Sequence, residues 1–432
     1  TCFLIMNTSS IFESTAVQIG QQLVETAVWD ADRQMCNWMG GYDITDAKIA
    51  PYSSRRSALS PEFYSGSCGL AYFLAELYAS TRKSEFLTTA AGGWQRSVRY
   101  MQTQEFPAPS ISFYAGELGV LFVGLRMVEI APELRTDFQP QLEWLKAQLP
   151  KGLDQEHSLD IIGGNSGAIP VLAELYRKTA EPVYAQVCKA CAEEMVREAE
   201  WVGEKCIWST AKIHGAELKS APTTGYSHGA SGMAVALREA YQQFDDPSFL
   251  THGRGAFAFE NSLFSAREGN WVDTRSPHSF EGGEVKGTFR SAWCHGAPGI
   301  GLANLRASKL DPVAATDHLK YAQIAAATTR KRLELQLATN PDKDATLCHG
   351  VLGSCEVLLT IAEELNDAEL WQYTSEKAAG YLKRFSKVEH LPSGLVRDGE
   401  SPSIMVGLAS VGMHCLRYFA TEKFASPLLL VA

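Results

Sequence analysis

Along this chain, runs that are apolar on every face alternate with segments whose apolar residues recur every three or four positions. Runs of the first kind follow a short glycine motif. Gly66-Ser67-Cys68-Gly69 precedes LAYFLAELY, and Gly116-Glu117-Leu118-Gly119 precedes VLFVGLRMVEI. The motif recurs as Gly164-Asn165-Ser166-Gly167, Gly229-Ala230-Ser231-Gly232, Gly296-Ala297-Pro298-Gly299 and Gly350-Val351-Leu352-Gly353. A seventh copy, Gly407-Leu408-Ala409-Ser410, carries Ser410 where the others have their second glycine. First glycines are spaced by 50, 48, 65, 67, 54 and 57 residues, a period that marks one repeat architecture.

The amphipathic segments Ile11–Trp29, Phe86–Met101, Leu134–Leu149, Val183–Val202 and Trp371–Phe385 predict helices with one solvated face. A helix apolar all round belongs inside a core. Each repeat therefore reads as an outer helix, a loop and a glycine-started inner helix. Seven of each predict an all-α (α/α)7 toroid, with the glycines letting inner backbones approach closely at one rim. The third and fourth gaps are longer, and their extra residues are β-prone: Cys206-Ile207-Trp208-Ser209, Asn270-Trp271-Val272-Asp273 and Gly287-Thr288-Phe289-Arg290. Insertions on one rim of a repeat protein often mark its binding face, and the site is expected there. Residues 1–432 are expected to form one domain, with 1–10 a poorly ordered N-terminal extension.

Composition narrows the partners. The 432 residues are 45% hydrophobic, enough for a large core, and a net charge of −10 without a Lys/Arg cluster argues against a nucleic-acid partner. No apolar stretch approaches the ~20 residues of a membrane span. The start, Thr1-Cys2-Phe3-Leu4-Ile5-Met6, lacks the basic and long apolar regions of a signal peptide. Position 1 is not Met, as in a processed chain or a piece of a longer one. The ten cysteines are expected to be reduced and cytoplasmic.

Three glycine motifs carry metal-capable side chains at their entry: Tyr226-Ser227-His228, Trp293-Cys294-His295 and Leu347-Cys348-His349. Equal register in successive repeats brings them to one rim. Two thiolates and one imidazole, Cys294, Cys348 and His349, suit Zn²⁺ and leave a fourth tetrahedral position open. Cys68, Cys355 and Cys415 read as small core residues, as do Cys188 and Cys191 inside an outer helix. His214, His278 and His414 read as structural. His295 does too, although its place beside Cys294 also suits support of a metal ligand.

The segments WCHGAPGIGL (293–302), GYSHGASGMA (225–234) and LCHGVLGS (347–354) resemble the signature motifs of LanC-type lanthionine cyclases. The resemblance runs from about residue 11 to the end, and WCHGAPGIGLANL is similar to the C-terminal cyclase domain of class II lanthipeptide synthetases. It implies zinc held by Cys294, Cys348 and His349, with His228, Asp160 and Arg290 as catalytic groups. The implied reaction adds a cysteine thiol of a dehydrated precursor peptide to dehydroalanine or dehydrobutyrine, forming a thioether ring. Zinc would deprotonate the thiol, Arg290 would meet the developing negative charge, and His228, oriented by Asp160, would move the proton. Asp160 also reads as a helix N-cap. No P-loop or kinase motif is present, so dehydration falls to a separate dehydratase domain or partner. Two alternatives share these residues: a LanC-like enzyme that adds glutathione to dehydroamino acids in proteins, and a zinc-stabilised toroid that binds peptides without chemistry.

Overall fold

A computed structural model describes residues 2–43, 54–103, 109–155, 157–208, 210–213, 216–219, 221–395, 400–421 and 423–430. Seven helices start at the seven glycine motifs: α2 (Ser67–Thr81), α4 (Glu117–Ile130), α6 (Asn165–Thr179), α8 (Ala230–Phe244), α10 (Ala297–Leu310), α12 (Val351–Leu365) and α14 (Leu408–Leu416). They are buried almost throughout and form the inner layer. Seven more form the outer layer: α1 (Cys2–Thr26), α3 (Ser84–Gln102), α5 (Arg135–Gly152), α7 (Pro182–Arg197), α9 (Pro247–Asn261), α11 (Ala315–Thr339) and α13 (Ala368–Leu382). Within the N-terminal extension expected over residues 1–10, residues 2–10 belong to helix α1, and Thr1 lies outside the described residues. Among the described residues, no helix is long and apolar enough to cross a membrane.

The expected order within a repeat, outer helix then inner, is reversed in the hairpins. Each inner helix from α2 to α12 turns back into the outer helix that follows it. At four of these turns the first residue is left-handed: Arg82, Ala180, Asp245 and Asn366, with φ between 53° and 56°. Asp246 and Asp367 then cap α9 and α13 by accepting from the Ser248 and Leu370 N–H groups. This order leaves α1 and α14 without a neighbour in sequence, and they pack on each other. Phe12 of α1 stacks on Tyr418, just beyond α14, and α14 also packs on α2 and α12. The ring thus closes by joining the two ends of the chain, despite Ser410.

The glycines act within a repeat as well as between repeats. A Cβ at Gly69, Gly119, Gly167, Gly232, Gly299 or Gly353 would overlap the carbonyl oxygen six residues earlier. Each loop therefore folds back onto the first turn of its own helix, which explains the second glycine better than helix–helix approach does.

Among the described residues, the β-strands pair as two-stranded antiparallel hairpins. Two precede α2: β1 (Val28–Trp29) with β2 (Cys36–Asn37), and β3 (Met39–Asp43) with β4 (Ser54–Ala58). Four lie in the long gaps, as the β-prone composition predicted. They are β5 (Glu200–Val202) with β6 (Lys205–Ile207), β7 (Thr210–Ile213) with β8 (Ala216–Lys219), β9 (Phe264–Ser265) with β10 (Asn270–Trp271), and β11 (Ser279–Glu281) with β12 (Glu284–Lys286). Trp29 and Val202, expected at helix ends, fall in β1 and β5.

Candidate active site

The seven loops that enter the inner helices are tied into a closed girdle. Ile161 N–H donates to the Ser227 carbonyl (3.0 Å), Ser227 to Cys294 (3.3 Å), Trp293 to Cys348 (3.1 Å) and Cys348 to Met405 (3.1 Å). Met405 donates to Tyr64 (3.3 Å) and Tyr64 to Tyr114 (2.9 Å). The Ser112 hydroxyl closes the circle on the Ile162 carbonyl at 2.6 Å. Two residues before each first glycine stand Tyr64, Tyr114, Ile162, Ser227, Cys294, Cys348 and Met405. Equivalent residues therefore face one another around one axis, and Cys294 and Cys348 are neighbours on it.

Neighbours on the girdle, the Cys348 and Cys294 thiols act on each other's ionisation in opposite directions. The Cys348 thiol draws that of Cys294 down to about 6, against its burial, aided by the positive charge of His349, His228 and Arg275. Cys348 is correspondingly pushed up, and it also receives the Tyr64 hydroxyl at 3.1 Å. Next to Cys348, His349 Nδ1 donates to Asp344 Oδ2. Asp344 Oδ1 in turn accepts from the Thr346 N–H and hydroxyl, both at 2.7 Å. Burial pulls the His349 pKa down, but Asp344 outweighs it and the net shift is upward.

On the other side of Cys294, exposed His228 donates through Nδ1 to Asp160 Oδ2 at 2.7 Å. Burial lowers its pKa, and Asp160 more than reverses this. Asp160 Oδ1 accepts from the Gly163 N–H at 2.6 Å and does not cap α6, whose N-cap is Gly164. His295 lies under His228, ring centroids 5.6 Å apart, with Nδ1 3.2 Å from the Thr224 carbonyl. A buried carboxyl underpins this corner: Glu260 on α9 accepts from the Gly225 and Ser231 N–H groups, both at 3.0 Å.

Arg290 is exposed, and its Nε lies 3.3 Å from Asp273 Oδ2. With His349 it lines a cavity of about 1490 Å³ whose lining also includes Met39 and Arg56. Asp160 and His228 line a separate pocket of about 60 Å³ with Ile207 and Trp208. The expected site residues thus share one rim. Cys294 lies at the middle of the rim, with His228–Asp160 to one side and Cys348–His349 to the other.

Among the described residues no three His, Cys, Asp or Glu side chains converge closely enough to hold a metal ion. The chemistry of the donor set nevertheless fits zinc. Two sulfurs and an imidazole are the donor types that zinc takes, and Asp344 engages His349 Nδ1, which leaves Nε2 as the nitrogen that could meet a cation. Cys68, Cys188, Cys191, Cys355 and Cys415 are fully buried free thiols, in keeping with a core role. His414 is buried against Glu356 at 2.8 Å, whereas His278 is exposed. His214 and Ser209 lie outside the described residues.

Asp344, Tyr64, Asp273 and Arg275 were not anticipated. Tyr64 was legible in register, since it holds the position in the first repeat that Cys294 and Cys348 hold in theirs. Asp273 and Arg275 lie in or beside a long-gap segment already set apart by its composition. Asp344 carried no signal beyond standing five residues before His349.

A toroid of helical hairpins with paired thiols and carboxylate-backed imidazoles on its loop girdle is the class defined by this fold and site. Residues 57–431 match the family model described as lanthionine synthetase C-like protein, and the chain belongs to that family. The lacticin 481/lactococcin biosynthesis protein of Lactococcus lactis subsp. lactis is 25% identical over 154 residues, 34% of this chain and 15% of that protein's length. Nisin cyclase superposes with a TM-score of 0.59 at 16% identity, covering 83% of this chain and 89% of its own, so the two share a fold.

Proposed function

We propose that this chain is a zinc-dependent thioether-forming cyclase acting on a dehydrated precursor peptide. The observation that carries the reading is the pair Cys294–Cys348 set in neighbouring loops of the girdle, flanked by His228–Asp160 and His349–Asp344. Family membership and the lacticin-biosynthesis relative support a peptide substrate. The 1490 Å³ cavity beside His349 and Arg290 has room for several residues of such a peptide.

Cys294, Cys348 and His349 would hold Zn²⁺, which when bound supplies a Lewis acid that keeps a thiol ionised at neutral pH. In the reaction a substrate cysteine sulfur forms a bond to the β-carbon of dehydroalanine or dehydrobutyrine, and the carbon–carbon π bond breaks. Its electron pair moves toward the neighbouring carbonyl oxygen, where Arg290 meets the negative charge. The α-carbon then takes a proton, and His228 is the donor within reach of this rim. Asp160 fixes the His228 tautomer by accepting from Nδ1, so Nε2 faces the reaction. Free thiols fit a reducing cytoplasm, and the dehydroamino acids would come from a dehydratase domain or partner.

Ring formation leaves the peptide mass unchanged but consumes one thiol per ring. A dehydrated, cysteine-containing peptide incubated with the zinc-loaded protein should lose alkylatable thiols faster than a control without protein. Mass addition of one glutathione, accelerated by the protein, would replace this reading with glutathione transfer to dehydroamino acids. Unchanged thiol counts and no adduct across several peptides would leave a peptide-binding toroid.

A further inference from the structure

The segment Val272–Arg275 is stitched between the loops that carry His228 and Cys294. The Thr224 hydroxyl donates to the Val272 carbonyl at 2.5 Å, and the Thr274 hydroxyl donates to Pro222 at 2.9 Å. Asp273 N–H donates to the Thr288 carbonyl at 2.8 Å, which fixes the same segment to the approach to Arg290. Between these ties the buried Asp273 carboxylate gathers two guanidiniums. Arg275 donates from Nε at 2.9 Å and from Nη2 at 2.8 Å, and Arg290 Nε lies 3.3 Å away. The carboxylate is only 2% exposed, whereas Arg275 and Arg290 are 48% and 60% exposed.

Two cations on one anion leave a net positive charge at the mouth of the site. Without Asp273 the two guanidiniums would repel and splay into solvent. The planar fork of arginine lets one edge be held while another stays available, which lysine does not permit. Arg275 is close enough to act electrostatically on Cys294, His228 and His295, the half of the cluster nearest Asp160.

We propose that Asp273 is a positioning residue that holds Arg275 and Arg290 side by side, and that Arg275 acts with Arg290 on the negative charge developing at the substrate carbonyl. This inference rests on the cyclase reading. Preorganised cations aimed at developing charge need no rearrangement during the reaction, and Asp273 provides that preorganisation.

The test uses the full zinc-loaded chain with a dehydrated, cysteine-containing peptide, followed by alkylation counting over a range of peptide concentrations. Removing a lone charge-stabilising donor typically costs ~10²–10³ in kcat. Because Arg290 remains, Arg275→Ala should lower kcat by roughly 10–100-fold with little change in KM. Arg275→Lys should recover part of the loss. Asp273→Asn should lower kcat as well, and in protein labelled with ¹⁵N-arginine it should strip the Arg275 and Arg290 Nε–H signals of their protection from solvent exchange. Wild-type kcat in Arg275→Ala would overturn the catalytic role, and unchanged Nε–H protection in Asp273→Asn would overturn the anchoring role. A wild-type chain inert toward every dehydrated peptide would instead overturn the cyclase reading and the catalytic half of this inference with it. The Nε–H measurement would still decide the anchoring half. Arg275 is exposed, so its variants report even where Asp273→Asn folds poorly.

Discussion

Tyr64 donates its hydroxyl to the sulfur of Cys348 across 3.1 Å, joining the first repeat to the sixth. Burial, and then the Cys348 charge, push the phenol well above its ordinary pKa, so it remains a donor throughout the neutral range. The contact exists because Tyr64 and Cys348 hold the same register in the girdle, linked through Met405.

Tyr64→Phe keeps the ring and deletes that donor. A neutral hydrogen bond contributes about 1 kcal/mol net to stability, so the melting temperature should fall by only a few degrees. Partners of metal ligands typically govern affinity by ~10–100-fold, and chelator competition should show zinc held more weakly by this factor. Equal affinity in the two proteins would mean that the phenol does not support the Cys348 ligand.

Cys294→Ala should abolish stoichiometric zinc, read by elemental analysis after purification in metal-free buffers. Its helical circular dichroism should stay close to wild type, because the core is built from many side chains of both helix layers and does not depend on one of them. Retention of one zinc per chain would displace Cys294 from the ligand set.

The His228–Asp160 pair makes a prediction about pH. Asp160 raises the His228 pKa above its ordinary value against the effect of burial, so the protonated imidazole persists to higher pH. Asp160→Asn removes the raising partner and leaves burial, which lowers the pKa. The alkaline limb of the cyclisation rate should therefore move to lower pH, in step with the His228 titration followed by NMR. A limb that stays in place would assign the proton transfer to another group.

Glu260 gives a stability signature of opposite origin. Burial raises its carboxyl from 4.5 to about 8, while two backbone N–H groups only partly counter this. Since the folded pKa lies above the unfolded one, folding favours the protonated acid. Its contribution is fully present below the ordinary carboxylate range and is lost as pH climbs toward about 8. Glu260→Gln is neutral at every pH, so its melting temperature should gain on that of wild type between about pH 5 and about pH 8. Parallel melting profiles would mean that Glu260 ionises normally.

Much of this molecule was legible in one dimension. The period of the glycine motifs, and the contrast between runs apolar on all faces and runs apolar on one, determined the two layers of helices and their number. Local physics is enough for that, because burial of a helix face depends on side-chain polarity at fixed spacing. Register then placed Cys294, Cys348, His228 and His349 on one rim, since equivalent positions in stacked repeats must face the same way. What the sequence could not determine was how the ends meet. The hairpins run inner to outer, so the contact of α1 with α14 joins elements separated by every repeat of the ring. Nor could it reveal Tyr64 against Cys348, 284 residues apart, or Asp273 between Arg275 and Arg290. Such contacts depend on the curvature of the closed ring and on where irregular loops come to rest, and no short-range periodicity encodes either.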